Sequence, residues 1–232
     1  MKAKFEAALN LLFAKKYTEA KKILEEIPLL DPANPDVLYN LGLCYSELGE
    51  FEASVKTLGQ CLKSEPDNPN ALAALGLSYL RLGSYRDAEK ALLHALSLEP
   101  NNLYAINNLA GLYGKLEKYE PALKILELGE KSFPDDPRIL YGLAISHQKS
   151  GNLQKASGYF KKIITKGIDQ YAELAKTGLR EIAQETFKKA GLRPDAVMYC
   201  LSALQLFSKK GKPEIQKIAF EIGLMPTQTK RD

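Results

Sequence analysis

The sequence predicts an all-α solenoid of antiparallel helix pairs, and three observations carry that reading. A skeleton of residues returns every 34 positions: Leu41-Gly42-x-x-Tyr45, Leu75-Gly76-x-x-Tyr79, Leu109-Ala110-x-x-Tyr113 and Leu143-Ala144-x-x-His147. Each period holds two apolar stripes of helical spacing around a turn. Leu72, Leu75, Gly76 and Tyr79 stand before Gly83; Ala88, Leu92 and Ala95 stand after it. Small residues and prolines fall in step as well, at Ala20, Ser54, Ala88, Ala122 and Ala156 and at Pro32, Pro66, Pro100 and Pro134. A period of this length marks stacked repeats, each too small to bury both of its faces alone.

The repeats run 1–34, 35–68, 69–102, 103–136 and 137–168. In the first, Lys2 and Lys4 before AALNLLFA have the outline of a signal peptide. Glu6 and Asn10 break that apolar run, no small-residue cleavage site follows, and Tyr17 and Ala20 already keep the step. The stretch therefore reads as a first helix, and Pro28 should end the second helix early.

The third repeat shows the grammar most clearly. Asn68 is placed to cap a helix that Pro69 opens, where a missing N–H costs nothing. Gly83 should end it in the left-handed conformation. Ser84 is expected to cap the second helix, with Asp87 three residues on, and Pro100 stops it. Gly76 and Ala88 are small where the two helices should cross closely; a large side chain there would cost about 1–3 kcal/mol. The fifth repeat lacks the closing proline, and Lys166-Gly167 should end it instead.

Beyond residue 168 helical patterning continues but the register is lost. Leu174, Leu179, Ile182, Ala183 and Phe187 form one apolar series from Tyr171 to Ala190. A second runs from Pro194 to about Ser208, and Ile215, Ile218, Ala219 and Ile222 share a face of a third helix after Gly211-Lys212-Pro213. Residues 169–226 are expected to cap the array, and 227–232 to form a flexible tail.

The Leu-Gly-x-x-Tyr, Ala and Pro positions at a 34-residue step resemble the tetratricopeptide repeat, over about 165 residues. The resemblance implies a right-handed superhelix that works as a non-catalytic scaffold or adaptor. In that family the first helices line a concave groove, and their second, fifth, ninth, twelfth and thirteenth places face a bound peptide. Carried onto this chain, those places give Asp36, Tyr39, Leu43 and Glu47, then Asn70, Ala73, Leu77, Leu80 and Arg81. The fourth repeat supplies Tyr104, Asn107, Gly111, Gly114 and Lys115, and the fifth Arg138, Tyr141, Ile145, Gln148 and Lys149. Tyrosines and aliphatics mixed with basic groups imply a peptide or helix of a partner protein, with apolar anchors and acidic character. The family's clamp for a chaperone tail needs Lys, Asn, Asn, Lys and Arg at five set places. Here those places hold Ala73, Leu77, Asn108, Arg138 and Gly142; Asn108 fits and Arg138 approximates, so no such clamp is expected.

Catalytic chemistry finds no home in the sequence. Of two histidines, His147 replaces a motif tyrosine and reads as packing, and His94 reads as surface. Neither has ligand-spaced neighbours, and no phosphate loop or Gly-x-Ser-x-Gly elbow occurs, so no metal or cofactor is expected. Cys44, Cys61 and Cys200 stand apart, which fits a reducing, cytoplasmic setting. Net charge is +4. Residues 161–232 hold 14 Lys and Arg against 8 Asp and Glu, including Lys161, Lys162, Lys188, Lys189, Lys209, Lys210 and Lys212. Contact with nucleic acid or an anionic membrane through this basic third is the lesser reading, since lysine also favours helix C-termini. Two alternatives stay open: a recruitment or regulatory module of a larger enzyme or assembly, and self-association through the last helix.

Overall fold

Helix starts keep the 34-residue step in the first helices from Pro35 to Pro137 and in the second helices from Tyr17 to Leu153. The computed structural model describes residues 2–27, 34–167 and 169–189. Among them the first helices are α1 (Lys2–Phe13), α3 (Pro35–Glu47), α5 (Pro69–Arg81), α7 (Leu103–Lys115) and α9 (Pro137–Lys149). The second helices are α2 (Tyr17–Glu26), α4 (Phe51–Ser64), α6 (Tyr85–Leu98), α8 (Tyr119–Ser132) and α10 (Leu153–Thr165), and α11 (Asp169–Lys189) follows.

Capping explains the first-helix starts. The side chains of Asn34, Asn68 and Asn102 accept from the backbone N–H groups of Val37, Ala71 and Ala105. Asp136 accepts from Arg138 and Ile139. Each cap is worth roughly 1 kcal/mol. The second helices start differently. Lys16, Glu50, Ser84 and Lys118 make no side-chain cap, so the expectation for Ser84 fails. The turn is closed by backbone instead, with the Ser84 N–H donating to the Tyr79 carbonyl at 2.9 Å. At ψ 66° Ser84 is far from the extended backbone of the capping asparagines. Asn152, at ψ 69°, still reaches the Lys155 N–H at 3.4 Å because its side chain is one atom longer.

Those turns share one strained position. Lys15, Gly49, Gly83, Glu117 and Gly151, again 34 apart, have φ of 58°, 80°, 79°, 56° and 79°. Glycine adopts this conformation freely, whereas Lys15 and Glu117 hold it against the Cβ clash.

The chain divides into two units, Met1–Leu116 and Glu117–Asp232. In the first, α1 packs with α2, α3 with α4 and α5 with α6, and the first helices α1, α3, α5 and α7 lie side by side. Two of its apolar clusters lie at α1–α3 and α3–α5. Ala8, Leu24, Ile27 and Cys44 lie in one; Leu38, Leu58, Cys61 and Leu75 lie in the other. Close crossing is real: a Cβ on Gly42 would fall 2.6 Å from Leu58 Cγ, and one on Gly76 would fall 2.5 Å from Leu92 Cγ. Burying a leucine this fully contributes about 1.5–3 kcal/mol. Ser54, in the column otherwise held by alanine, donates to the Gly42 carbonyl and pairs with Ser78, both at 2.8 Å in the core.

In the second unit α9 packs with α8 and α10, and α11 lies on α10 and α9. Phe160, Ile163, Ala175 and Ile182 centre its core. Here glycines ease contact with the preceding helix: Gly142 faces Leu126 of α8, and Gly178 of α11 faces the Phe160 ring. Gly178 keeps the 34-residue step of Gly42, Gly76, Ala110 and Ala144, but it meets the preceding helix from a place two residues later than Gly142 does. That slip turns α11 about its axis. Its buried face is Ala172, Ala175, Ile182 and Ala183, whereas Leu174, expected in the apolar series, is 42% exposed. The helical patterns beyond Lys189 and the proposed tail lie outside the described residues, as does Pro28; α2 ends just before it, at Glu26.

Candidate functional site

The exposed face of the first helices in the first unit gathers most of the residues singled out above. Tyr39 and Leu43 are half-buried against the core cluster of α3–α5. Leu77 is half-buried one helix further, and Arg81, Lys115 and Asn70 are exposed. Tyr104, at the start of α7, is 67% exposed. Its charge is nevertheless felt by two other tyrosines. Burial first, and the Tyr104 hydroxyl next, push the Tyr39 phenol up. Tyr17 is raised by burial, then Glu47, then Tyr104. Three phenols from α2, α3 and α7 are therefore coupled electrostatically. Sequence reasoning missed Tyr17, because it opens a second helix and stands outside the first-helix places.

The floor changes character along this face. A Cβ on Gly111 or Gly114 would meet nothing within 4 Å, so α7 is open to a ligand's backbone. One turn before Gly111, the Asn107 Nδ2 is buried and has no hydrogen-bond partner. Asn108 is half-buried. Two residues are engaged by the fold itself: the Asn70 Oδ1 accepts from the buried cap Asn102 at 3.0 Å, and Lys115 Nζ sits 5.3 Å over the Tyr85 ring. Ala73, expected in the groove, is a core residue at 1% exposure, because a methyl is too short to reach past the side chains packed around it.

In the second unit the corresponding places are largely occupied by the chain's own contacts. Tyr141 packs on Phe160 and Tyr171 with ring centroids 6.0 and 5.8 Å away. Ile145 joins the same core. Gln148 donates to Glu181 of α11 at 3.3 Å. Arg138 is exposed but forked onto its cap Asp136, at 3.2 and 2.9 Å. Lys149 remains exposed. Gly142 has no room for a basic side chain, since a Cβ already meets Leu126 at 2.9 Å.

Among the described residues both thiols are buried, as is one of the two imidazoles. Burial pushes the Cys44 and Cys61 thiols up to about 11, so both are neutral at pH 7. His147 is 5% exposed, stacked on Tyr159 at 5.8 Å, and held below its usual range by burial and then by Lys155. Exposed His94 faces Asp67 at 3.7 Å. Among the described residues no group of three or more His, Cys, Asp or Glu could hold a metal ion, and no helix is long and apolar enough to cross a membrane. The basic third begins in ion pairs: Lys162 faces Glu130 and Asp135, and Lys166 bonds Asp135 at 2.7 Å. Lys209, Lys210, Lys212 and the side chains of Lys188 and Lys189 lie outside the described residues.

No curated protein matches the chain significantly. Many solved structures do. MamA is 20% identical, over 68% of this chain and 93% of that one, at a TM-score of 0.60. An RS-1 MamA double mutant is 20% identical over 71% and 92%, at 0.62. The thermophilic tetratricopeptide repeat protein TTC0263 of Thermus thermophilus is 18% identical over 77% and 98%, at 0.66. At these identities the likeness is one of fold. The tetratricopeptide repeat profile itself matches residues 11–78 and 79–140. With the step, the caps and the close crossings in place, the chain belongs to the tetratricopeptide repeat family.

Proposed function

We propose that the protein is a non-catalytic scaffold or adaptor that holds a peptide or helix of a partner protein on the first-helix face of its first unit. The observation that supports this most is α7, where the exposed Tyr104 is followed by an open floor at Gly111 and Gly114. Tyrosine supplies large contact area at small entropic cost, and a bare floor admits a main chain. Tyr39, Leu43, Leu77, Tyr104 and Asn107 are the anchors, with Arg81 and Lys115 favouring acidic groups. Residues 169–226 act as a cap in this reading, and α11 takes Tyr141 and Gln148 out of the binding face. Buried free thiols fit a cytoplasmic setting.

Affinity capture from the source cell, quantified for the wild type beside Tyr104→Ala and Arg81→Ala/Lys115→Ala, tests the assignment. All three positions are exposed, so folding should be unchanged. Loss of the same proteins from both variants is expected, and an unchanged set would overturn the groove. A role as a recruitment module of a larger assembly predicts an enzyme among the captured proteins.

A further inference from the structure

The first helix carries a feature that the groove reading does not use. Leu9 stands in step with Leu43, Leu77 and Gly111. Phe13 stands in step with Glu47, Arg81 and Lys115. Leu9 is 38% exposed and Phe13 94%. A phenylalanine this exposed, one turn beyond an exposed leucine, is an apolar surface without a cover. At the other end of the same face the side chains are cationic. Among the described residues Arg81 is in no ion pair, and Lys115 meets only the Tyr85 ring. Two turns before Lys115 on α7, the buried Asn107 Nδ2 is a donor without an acceptor.

We infer that this face takes a partner's segment in one sense only, with apolar side chains against Leu9, Phe13 and Leu43 at the α1 end and carboxylates against Arg81 and Lys115 at the α5–α7 end. The inference rests on the groove reading and adds its direction. Charge complementarity selects the occupant. The chain's own residues 190–232 hold 7 Lys and Arg against 4 Asp and Glu, so the cationic end repels them. A separate protein with an acid-tipped apolar segment fits both ends. Neighbouring helix axes lie about 8–10 Å apart, so three spacings from α1 to α7 are roughly 27 Å, which about eight extended residues span at ~3.3 Å each.

A random twelve-residue peptide display library, panned on the full chain, supplies the probe. Enriched peptides should carry Leu or Phe at one end and Asp or Glu at the other. Arg81→Glu/Lys115→Glu should weaken a synthesised winner at least ten-fold and strengthen its Lys-substituted counterpart. Phe13→Ser should weaken the winner several-fold and leave the charge preference alone. All three sites are exposed, so melting curves should match the wild type. Winners without separated apolar and acidic ends overturn the inference. So does a charge preference that survives Arg81→Glu/Lys115→Glu. Winners that are basic, or that reproduce a segment of this chain, hand the face to the C-terminal segment or to a second copy. Winners weakened by Tyr104→Ala but by neither the charge reversal nor Phe13→Ser overturn the direction and leave the groove standing. No enrichment over an unrelated protein, or winners indifferent to Tyr104→Ala as well, overturns the groove itself.

Discussion

Leu92 lies directly over Gly76, so close that a single added methyl would fall 2.5 Å from its Cγ. Gly76→Ala should therefore destabilise the protein by about 1–3 kcal/mol, since neither a buried leucine nor the helix backbone behind it can yield freely. Gly59→Ala is the matched control. It lies mid-helix in α4 with nothing within 4 Å of a Cβ, and should stabilise by roughly 0.5–1 kcal/mol through helix propensity alone. Urea unfolding of the two variants checks both signs.

Glu117 holds a left-handed backbone in a column where Gly49, Gly83 and Gly151 stand. Glu117→Gly should relieve a Cβ clash of roughly 1–2 kcal/mol, partly offset by the greater freedom of glycine when unfolded. A net gain of up to about 1 kcal/mol is expected in the urea midpoint. A loss would mean that the Glu117 side chain contributes more than its backbone costs.

Ser54 and Ser78 form a buried hydroxyl pair 2.8 Å apart, with the Gly42 and Ala74 carbonyls at 2.8 and 3.0 Å, so the two O–H hydrogens are shared among three contacts. Ser54→Ala fits sterically, because alanine fills that column elsewhere, and should cost about 1 kcal/mol of hydrogen bonding. The second substitution, Ser78→Ala, should cost less in the Ser54→Ala background than alone. A double-mutant cycle should show a coupling of at least about 0.5 kcal/mol.

His147 is buried and neutral, its pKa held below 6.5 by desolvation and then by Lys155. The unfolded chain binds a proton there at a higher pH than the folded one. Stability from this site is therefore complete above about pH 6.5 and falls as pH drops toward the lower folded value. His147→Tyr, which restores the residue of the other repeats, should flatten that limb of the stability profile. An unchanged slope between pH 6.5 and 5 would place the dependence elsewhere.

Much of this architecture was legible because the physics repeats with the residues. Asn68, Pro69, Gly76, Gly83 and Ala88 each do what their chemistry requires, and the helix starts follow. Ser84 misled because a cap residue type is not a cap when the turn before it sets its ψ. Leu174 misled because the apolar series was read without the two-residue slip that only the Gly178–Phe160 contact reveals. On the candidate face the period alone leads to Tyr39, Leu77, Arg81 and Tyr104, none of which is fully buried. Tyr141 and Gln148 were not legible, because whether α11 covers them depends on how that helix is turned. Phe13 and Leu9 were within reach, since the same 34-residue step leads to them, but the first repeat's weak motif kept them out of view.

The slip at Gly178 also marks where the array can grow. A further 34-residue block spliced in between α6 and α7 would meet neighbours shaped for it on both sides. The same block placed after Gly167 would present the wrong face to α10, and the Phe160 ring would lose the glycine beneath which it fits. Lengthening by duplication is thus open within the array and closed at this end. A chain with residues 69–102 doubled should fold, whereas one with the copy inserted before Asp169 should leave Phe160 uncovered and aggregate.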